Sequence, residues 1–367
     1  MKRWVYRGMV HPKYLVPVLL SAVLGLILIE STKEQVAFEH YEQQIVAAEL
    51  MQSGMRQIRE LRESLGIAIN PNEDPNLTGL IGAEITEFTT SLGNLEAKRT
   101  ATNPDFAALM VRLFVEAGLD SGDFVAIGAS GSFPSLILAT LSACQALDLQ
   151  PLLIYSLGSS MYGANIPGFT FPEMLEHLNR CGLFPYKILA ISMGGDNDRA
   201  EGILSNFSID VVADIANKYG YQLIFEPDFV KSINKRLELY SEASHGIDIG
   251  CFVNIGGASV NFGETAASLK VPNGLVVQYP MINESPERGL IFEFLARGVP
   301  VINLLNIKDL AVKYGLPIDP IPLPTIGVSS VYHEVKYNRP VILLILFILS
   351  VFLGAEAYLA RTGRKYK

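Results

Sequence analysis

Two apolar stretches bracket this chain of 367 residues, and both carry their basic residues on the terminal side. The first runs from Tyr14 to Ile29 behind Lys2, Arg3, Arg7 and Lys13. The second runs from Pro340 to Ala360 and is followed by Arg361, Arg364, Lys365 and Lys367. Short flanks rich in Lys and Arg resist translocation, so the pattern predicts two membrane helices, both termini in the cytoplasm, and everything between Glu30 and Val335 on the outer side. The segment Glu30-Ser31-Thr32-Lys33 offers no small-x-small cleavage site, so the first stretch reads as an uncleaved anchor rather than a signal peptide. An exported domain has no ATP or reduced nicotinamide pool, which excludes chemistry that depends on them.

The expected organisation follows from these ends. Residues 1–13 form a basic cytoplasmic tail, 14–29 a transmembrane helix, 30–66 a helical stalk, 67–325 the extracytoplasmic domain, 326–339 a tether, 340–360 a second transmembrane helix and 361–367 a second basic tail. All but one of the 37 acidic residues lie between Glu30 and Val335, whereas ten of the 29 Lys and Arg lie outside it. The central domain is therefore strongly acidic and repels polyanions, which argues against nucleic acid as a partner. Three cysteines, Cys144, Cys181 and Cys251, are too few for a disulfide scaffold, and the five histidines are scattered without the spacing of a zinc site. No cofactor or metal is expected.

Within the domain, short apolar runs alternate with helical patterns. Strands are expected at 124–127, 151–155, 187–192, 222–225, 250–255, 275–278 and 299–303, and helices at 104–117, 133–147, 171–181, 208–219 and 228–241. Strands that are apolar on both sides and separated by helices make a mostly parallel sheet covered on both faces, an α/β doubly wound fold. The stalk pattern, with apolar residues at Val36, Ile45, Leu50, Met51, Met55, Ile58, Leu61 and Leu65, reads as one long helix. Ile318 to Pro324 is proline-rich and reads as a semi-rigid spacer.

Three glycine-bearing loops follow expected strands: Gly128 to Pro134, Ser192 to Asp198, and Asn254 to Ser259. In an open parallel sheet, ligands bind beyond the carboxyl ends of the strands, where strand order reverses. In the first loop, Ser130 sits between Gly128 and Gly131 after a strand and before a helix, like a nucleophile elbow whose last glycine is replaced by Ser132. Acyl transfer by Ser130 requires a histidine and an acid; Asp196 or Asp198 and then His245 follow in the chain order of α/β hydrolases, giving Ser130, Asp196 and His245 as the leading catalytic set. The alternatives are non-covalent anion binding by Gly128, Gly131, Ser132, Gly256 and Gly257, and turns that are purely structural. Lys98 and Arg99 form a basic pair in the acidic domain, suited to a carboxylate or phosphate.

Taken together, the N-terminal apolar stretch, the run Thr78-Gly79-Leu80-Ile81-Gly82, the pattern Thr89-Thr90-x-x-Gly93-x-Leu95-x-Ala97-Lys98-Arg99-Thr100-x-x-Asn103-Pro104-x-Phe106 and the loop from Gly128 to Pro134 resemble the bacterial poly-gamma-glutamate system protein family. The resemblance implies an accessory protein of the cytoplasmic membrane that serves poly-gamma-glutamate capsule synthesis and export. Its implied partners are the membrane proteins of that machinery, the polymer and the lipid bilayer. Two other readings stay open beside it: a serine-dependent hydrolase or transferase acting on γ-glutamyl amide bonds, and a structural membrane scaffold. The resemblance transfers no catalytic residue.

Overall fold

The computed structural model describes residues 12–200, 204, 207–226, 228–263, 268–279, 285 and 287–362, and these fall into two compact units, 12–38 with 333–362 and 39–332. In chain order the elements are α1 (Pro12–Ser31), β1 (Glu34–Ala37), α2 (Tyr41–Ser64), β2 (Thr89–Ser91), α3 (Leu95–Thr100), α4 (Asp105–Glu116), β3 (Phe124–Ser130), α5 (Pro134–Ala146) and β4 (Gln150–Ser156). There follow β5 (Ser159–Ser160), α6 (Phe171–Arg180), β6 (Ile188–Ser192), α7 (Ile209–Tyr219), β7 (Gln222–Ile224), α8 (Phe229–Ala243) and β8 (Ile249–Ile255). The chain closes with α9 (Ser259–Phe262), β9 (Gly274–Val276), α10 (Gly289–Ala296), β10 (Val301–Leu304), α11 (Ile307–Tyr314), β11 (His333–Lys336) and α12 (Arg339–Thr362).

The larger unit is α/β, built on a mixed seven-stranded sheet in the order β7-β6-β4-β3-β8-β10-β9. Only β9 runs antiparallel, against β10. The central strands are apolar on both sides because helices cover both faces. Val125 and Ile127 of β3 join one core with α2, α4 and α5, while Ala126 joins Phe252, Tyr240 and Phe294 on the other. Strand order reverses between β3 and β8: from β3 the chain moves outward through β4, β6 and β7, then returns to β8 on the opposite side. A separate parallel pair, β2 with β5, aligns Thr89 with Ser159 and Ser91 with Ser160.

The expected stalk helix does not run unbroken. Chain between Thr32 and His40 leaves the helix to form β1, and α2 begins at Tyr41. Its apolar stripe, Met51, Met55 and Ile58, is buried in the core of the larger unit. The proline-rich spacer is pinned as well: Asp319 pairs with Arg99, and the Pro320 carbonyl accepts from Asn76 at 2.8 Å. The segment expected as a tether, 326–339, holds a buried turn at Val331 and Tyr332 and then β11.

In the smaller unit, β1 and β11 pair antiparallel from Glu34 opposite Lys336 to Ala37 opposite His333, and α1 packs on α12. Gly25 permits that approach, since a Cβ there would fall 2.6 Å from Cγ2 of Ile345. Leu20, Leu24, Leu343 and Phe347 remain exposed. Here the sequence expectation is corrected: among the described residues, no helix is long and apolar enough to cross a membrane. At 1.5 Å per residue, the first stretch, Tyr14 to Ile29, rises about 24 Å, short of a hydrocarbon core of roughly 30 Å. Glu356 lies inside the second stretch, and Pro17 inside the first. The two transmembrane spans, the two-pass topology and the placement in a bacterial cytoplasmic membrane with an outer domain are therefore withdrawn. The exclusion of nucleotide chemistry, which rested on that topology, goes with them. The expected basic tails, 1–13 and 361–367, lie almost wholly outside the described residues.

Candidate active site

All three glycine loops leave the carboxyl ends of strands of the large sheet: the first follows β3, the second β6 and the third β8. They meet at the crevice where strand order reverses, the position at which open α/β sheets bind ligands. Backbone contact there is close. Gly256 has φ +84°, and a Cβ on it would lie 2.5 Å from Ser130 Oγ. The Ser259 hydroxyl donates to the Gly195 carbonyl at 3.1 Å, tying the third loop to the second. Above the crevice lies a cavity of about 470 Å³ whose lining includes Ser130, Ser132, Gly195, Asp196 and Gly257. Lys98, Ser160 and Lys308 line it too.

Lys98 is the most unusual group in this cavity. It is carried by α3, whose start is fixed by Asn94, the side-chain oxygen of which accepts from the Ala97 amide at 2.8 Å. The side chain is only 3 % exposed. Its Nζ lies 2.7 Å from Ser160 Oγ, donates to the Ser132 carbonyl, and sits 3.9 Å from the centre of the Phe133 ring. Among the described residues no carboxylate pairs with it. An ammonium so placed loses its hydration without gaining a counter-charge, and burial lowers the Lys98 pKa from 10.5 to about 7. At neutral pH a substantial fraction of Lys98 is then a free amine with a lone pair.

Ser160 faces that amine from β5. Its backbone is held from both sides, with Ser159 N donating to the Phe88 carbonyl and Met161 N to the Ser91 carbonyl, each at 3.0 Å. Its own amide donates to Ser132 Oγ at 3.1 Å. When Lys98 is uncharged, the 2.7 Å contact can run from the Ser160 hydroxyl to the amine lone pair, while a remaining Nζ–H keeps the bond to the Ser132 carbonyl. That is the arrangement of a serine nucleophile and a lysine base. Ser132 and Phe133 lead into α5, whose first residue, Pro134, has no N–H and whose Leu136 and Ile137 amides donate to the Phe133 carbonyl.

The sequence-derived site residues divide. Ser130, Ser132, Asp196, Gly257 and Lys98 line one cavity. Gly128, Gly131 and Gly256 are packed against protein: a Cβ on Gly128 would meet Asn261 Oδ1 at 2.5 Å, and one on Gly131 would meet Tyr155 Oη at 2.9 Å. Arg99 parts from Lys98 and is held by the Asp319 carboxylate, with Nε to Oδ1 at 2.7 Å. His245 follows α8 and precedes β8, so it lies at the amino-terminal edge of the sheet, while Ser130 ends β3 at the other edge. With β3 and β8 parallel, a strand's length, about 20 Å, separates them. The histidine proposed for the Ser130 set is therefore not beside it. Asp198, the other acid of the second loop, is bound to Arg236 at 2.9 Å, with both side chains no more than 2 % exposed, and also accepts from Ser192, Gly194 and Ser232.

Sequence reasoning missed Ser160 and Lys308. Leu157-Gly158-Ser159-Ser160 follows an expected strand just as the three glycine loops do, and that was the available signal for Ser160. Lys308 sits in the first turn of α11, bonded to Glu96 at 2.7 Å. The three cysteines are free; Cys144 and Cys251 are buried in apolar surroundings that push both thiols up and leave them unreactive. Comparison with known proteins adds nothing to the geometry. No family model matches the chain, and neither does any curated protein or solved structure.

Proposed function

We propose that this cavity is the active site of an acyl-transfer enzyme, a hydrolase or transferase of amide or ester bonds, with Ser160 as nucleophile and Lys98 as its general base. The observation that carries the proposal is the 2.7 Å contact between Lys98 Nζ and Ser160 Oγ inside a solvent-reaching cavity. The uncharged amine takes the Ser160 proton as Oγ bonds to the substrate carbonyl carbon, and the carbonyl oxygen becomes an oxyanion. On collapse the leaving amine or alcohol takes the proton from Lys98, leaving an ester on Ser160. Water or a second amine then attacks the ester, again giving its proton to Lys98, and the hydroxyl is restored.

The family resemblance supplies a substrate class for this reading, the γ-glutamyl amide of a poly-gamma-glutamate chain. An accessory role in making or exporting that polymer fits a protein that trims or transfers its ends. Ser130 is placed second because, among the described residues, its hydroxyl accepts a long 3.5 Å contact from the Ser132 amide and no hydrogen bond joins it to a lysine or histidine. A fluorophosphonate probe tests the assignment. It should label the full chain at Ser160, located by peptide mass spectrometry, with Ser160→Ala and Lys98→Met unlabelled and Ser130→Ala still labelled. Adduct on Ser130, or none on a folded chain at any pH from 6 to 9, would refute the covalent reading.

A further inference from the structure

One residue of the cavity wall is bonded to both members of the reacting pair. The Ser132 carbonyl accepts from Lys98 Nζ, and Ser132 Oγ accepts from the Ser160 amide at 3.1 Å. Ser132 lines the cavity and is only 8 % exposed. A serine hydroxyl carries one hydrogen beside its two lone pairs. Among the described residues the Ser160 amide is the one partner of Ser132 Oγ, so nothing accepts that hydrogen. A donor this deeply buried and without an acceptor costs free energy, which an oxygen atom of a ligand would recover.

The surrounding chain fixes where this hydroxyl stands. Ala164 N donates to the Gly131 carbonyl at 2.7 Å, and a Cβ on Gly163 would meet Ser132 Cα at 3.0 Å. Within one serine, the amide nitrogen and Oγ are about 3 to 4 Å apart in every staggered rotamer, and Ser132 Oγ is 3.1 Å beyond the Ser160 nitrogen. A carbonyl carbon bonded to Ser160 Oγ puts its own oxygen about 2.3 Å from that Oγ, and a hydroxyl bond adds about 2.7 Å. A donor to that oxygen therefore stands about 4 to 5 Å from Ser160 Oγ, within the span that the Ser160 amide bond allows. Accepting from the amide also polarises the Ser132 O–H and strengthens it as a donor.

We infer that Ser132 is a further catalytic residue of this site, its hydroxyl donating to the oxyanion that forms when Ser160 Oγ bonds to a substrate carbonyl carbon. This rests on the acyl-transfer reading for the reacting group and adds the group that steadies its charge. As the new C–O bond forms, the π pair of the carbonyl moves onto its oxygen, which accepts the Ser132 O–H; the proton stays on Ser132. On collapse the pair returns, the bond to the leaving group breaks, and the leaving group takes the proton that Lys98 drew from Ser160. A donor held in place before the charge develops has no reorganisation to undergo, and removing one such donor slows acyl transfer by about a hundredfold or more.

The test follows p-nitrophenolate release by the full chain from p-nitrophenyl acetate and from its thiono analogue, whose C=S sulfur is a larger and weaker hydrogen-bond acceptor. Rates are taken above those of Ser160→Ala. Ser132→Ala should lose about a hundredfold on the oxygen ester and less than about threefold on the thiono ester. Both esters are read on one preparation, so any unfolded fraction cancels in the ratio. Ser132→Thr and Ser132→Val have the same shape and differ by the hydroxyl; they should reproduce the wild-type ratio and the Ser132→Ala ratio respectively. Equal losses on the two esters, or wild-type rates in Ser132→Ala, overturn the inference and leave the acyl-transfer reading standing. Release that does not depend on Ser160 overturns that reading itself and takes the inference with it.

Discussion

Replacing Lys98 by Met removes the amine while keeping an unbranched side chain of similar length in the same apolar surroundings, and it should change how stability depends on pH. Unfolded, the Lys98 side chain holds its proton up to about 10.5; folded, it releases it near 7. Between those values the unfolded chain binds more protons than the native one, so this residue's contribution to stability rises with pH; below about 7 both states are protonated and the contribution is flat. The full interval corresponds to about 5 kcal/mol at 1.36 kcal/mol per pKa unit. Part of it is already realised at pH 7, and between pH 7 and pH 9 the expected gain is about 2 kcal/mol. Urea denaturation of the wild-type chain and of Lys98→Met at both pH values isolates the effect as a difference of differences. The wild type should gain about 2 kcal/mol more than the variant on going to pH 9. Equal gains would show that Lys98 is not held at a depressed pKa, and would remove the physical basis for its role as a base. Probe labelling of Ser160 should rise through the same region near pH 7 and level off above it.

Two further substitutions examine the frame around the site. Arg236→Met strands the Asp198 carboxylate in the interior and should lower stability by about 3 to 5 kcal/mol, measured by denaturant midpoint; adding Asp198→Leu should recover much of the loss if the cost comes from the unpaired charge. Gly256→Ala places a methyl group 2.5 Å from Ser130 Oγ at a positive φ, so a thermal melt should show destabilisation of about 1 to 3 kcal/mol. An unchanged melting temperature would mean the β3–β8 crevice is looser than the structure has it.

Much of the central sheet was readable from the chain. The runs at Phe124, Lys187 and Gly250 become strands because apolar residues without a helical period can be buried on both faces at once, and the glycine loops after them necessarily share an edge once the strands are parallel. The expected helix at 104–117 is α4, and just ahead of it the Asp105 amide is bonded to Asn103 Oδ1 at 3.1 Å. The terminal stretches read as membrane spans from their apolar composition and basic flanks, yet among the described residues no helix is long and apolar enough to cross a membrane. The site was only half visible. Ser130 drew attention through a familiar spacing, whereas Ser160 belongs to a two-residue strand with no motif of its own. Adjacent Lys98 and Arg99 looked like one basic patch, but neighbours on a helix point about 100° apart, and one entered the cavity while the other met Asp319. His245 failed for a topological reason, since order along the chain does not reveal at which edge of a sheet a loop emerges.

The small β2–β5 ladder has a consequence for how this chain can vary. Only three residues of chain separate β2 from Lys98's own helix, and β2 in turn grips the strand that bears Ser160. Proton acceptor and attacking hydroxyl are thus clamped to each other by a local excursion, with the great sheet serving as its floor. Remodelling of outer helices or edge strands should leave that clamp intact, whereas a single inserted residue between Ser91 and Lys98 would throw the two partners out of step.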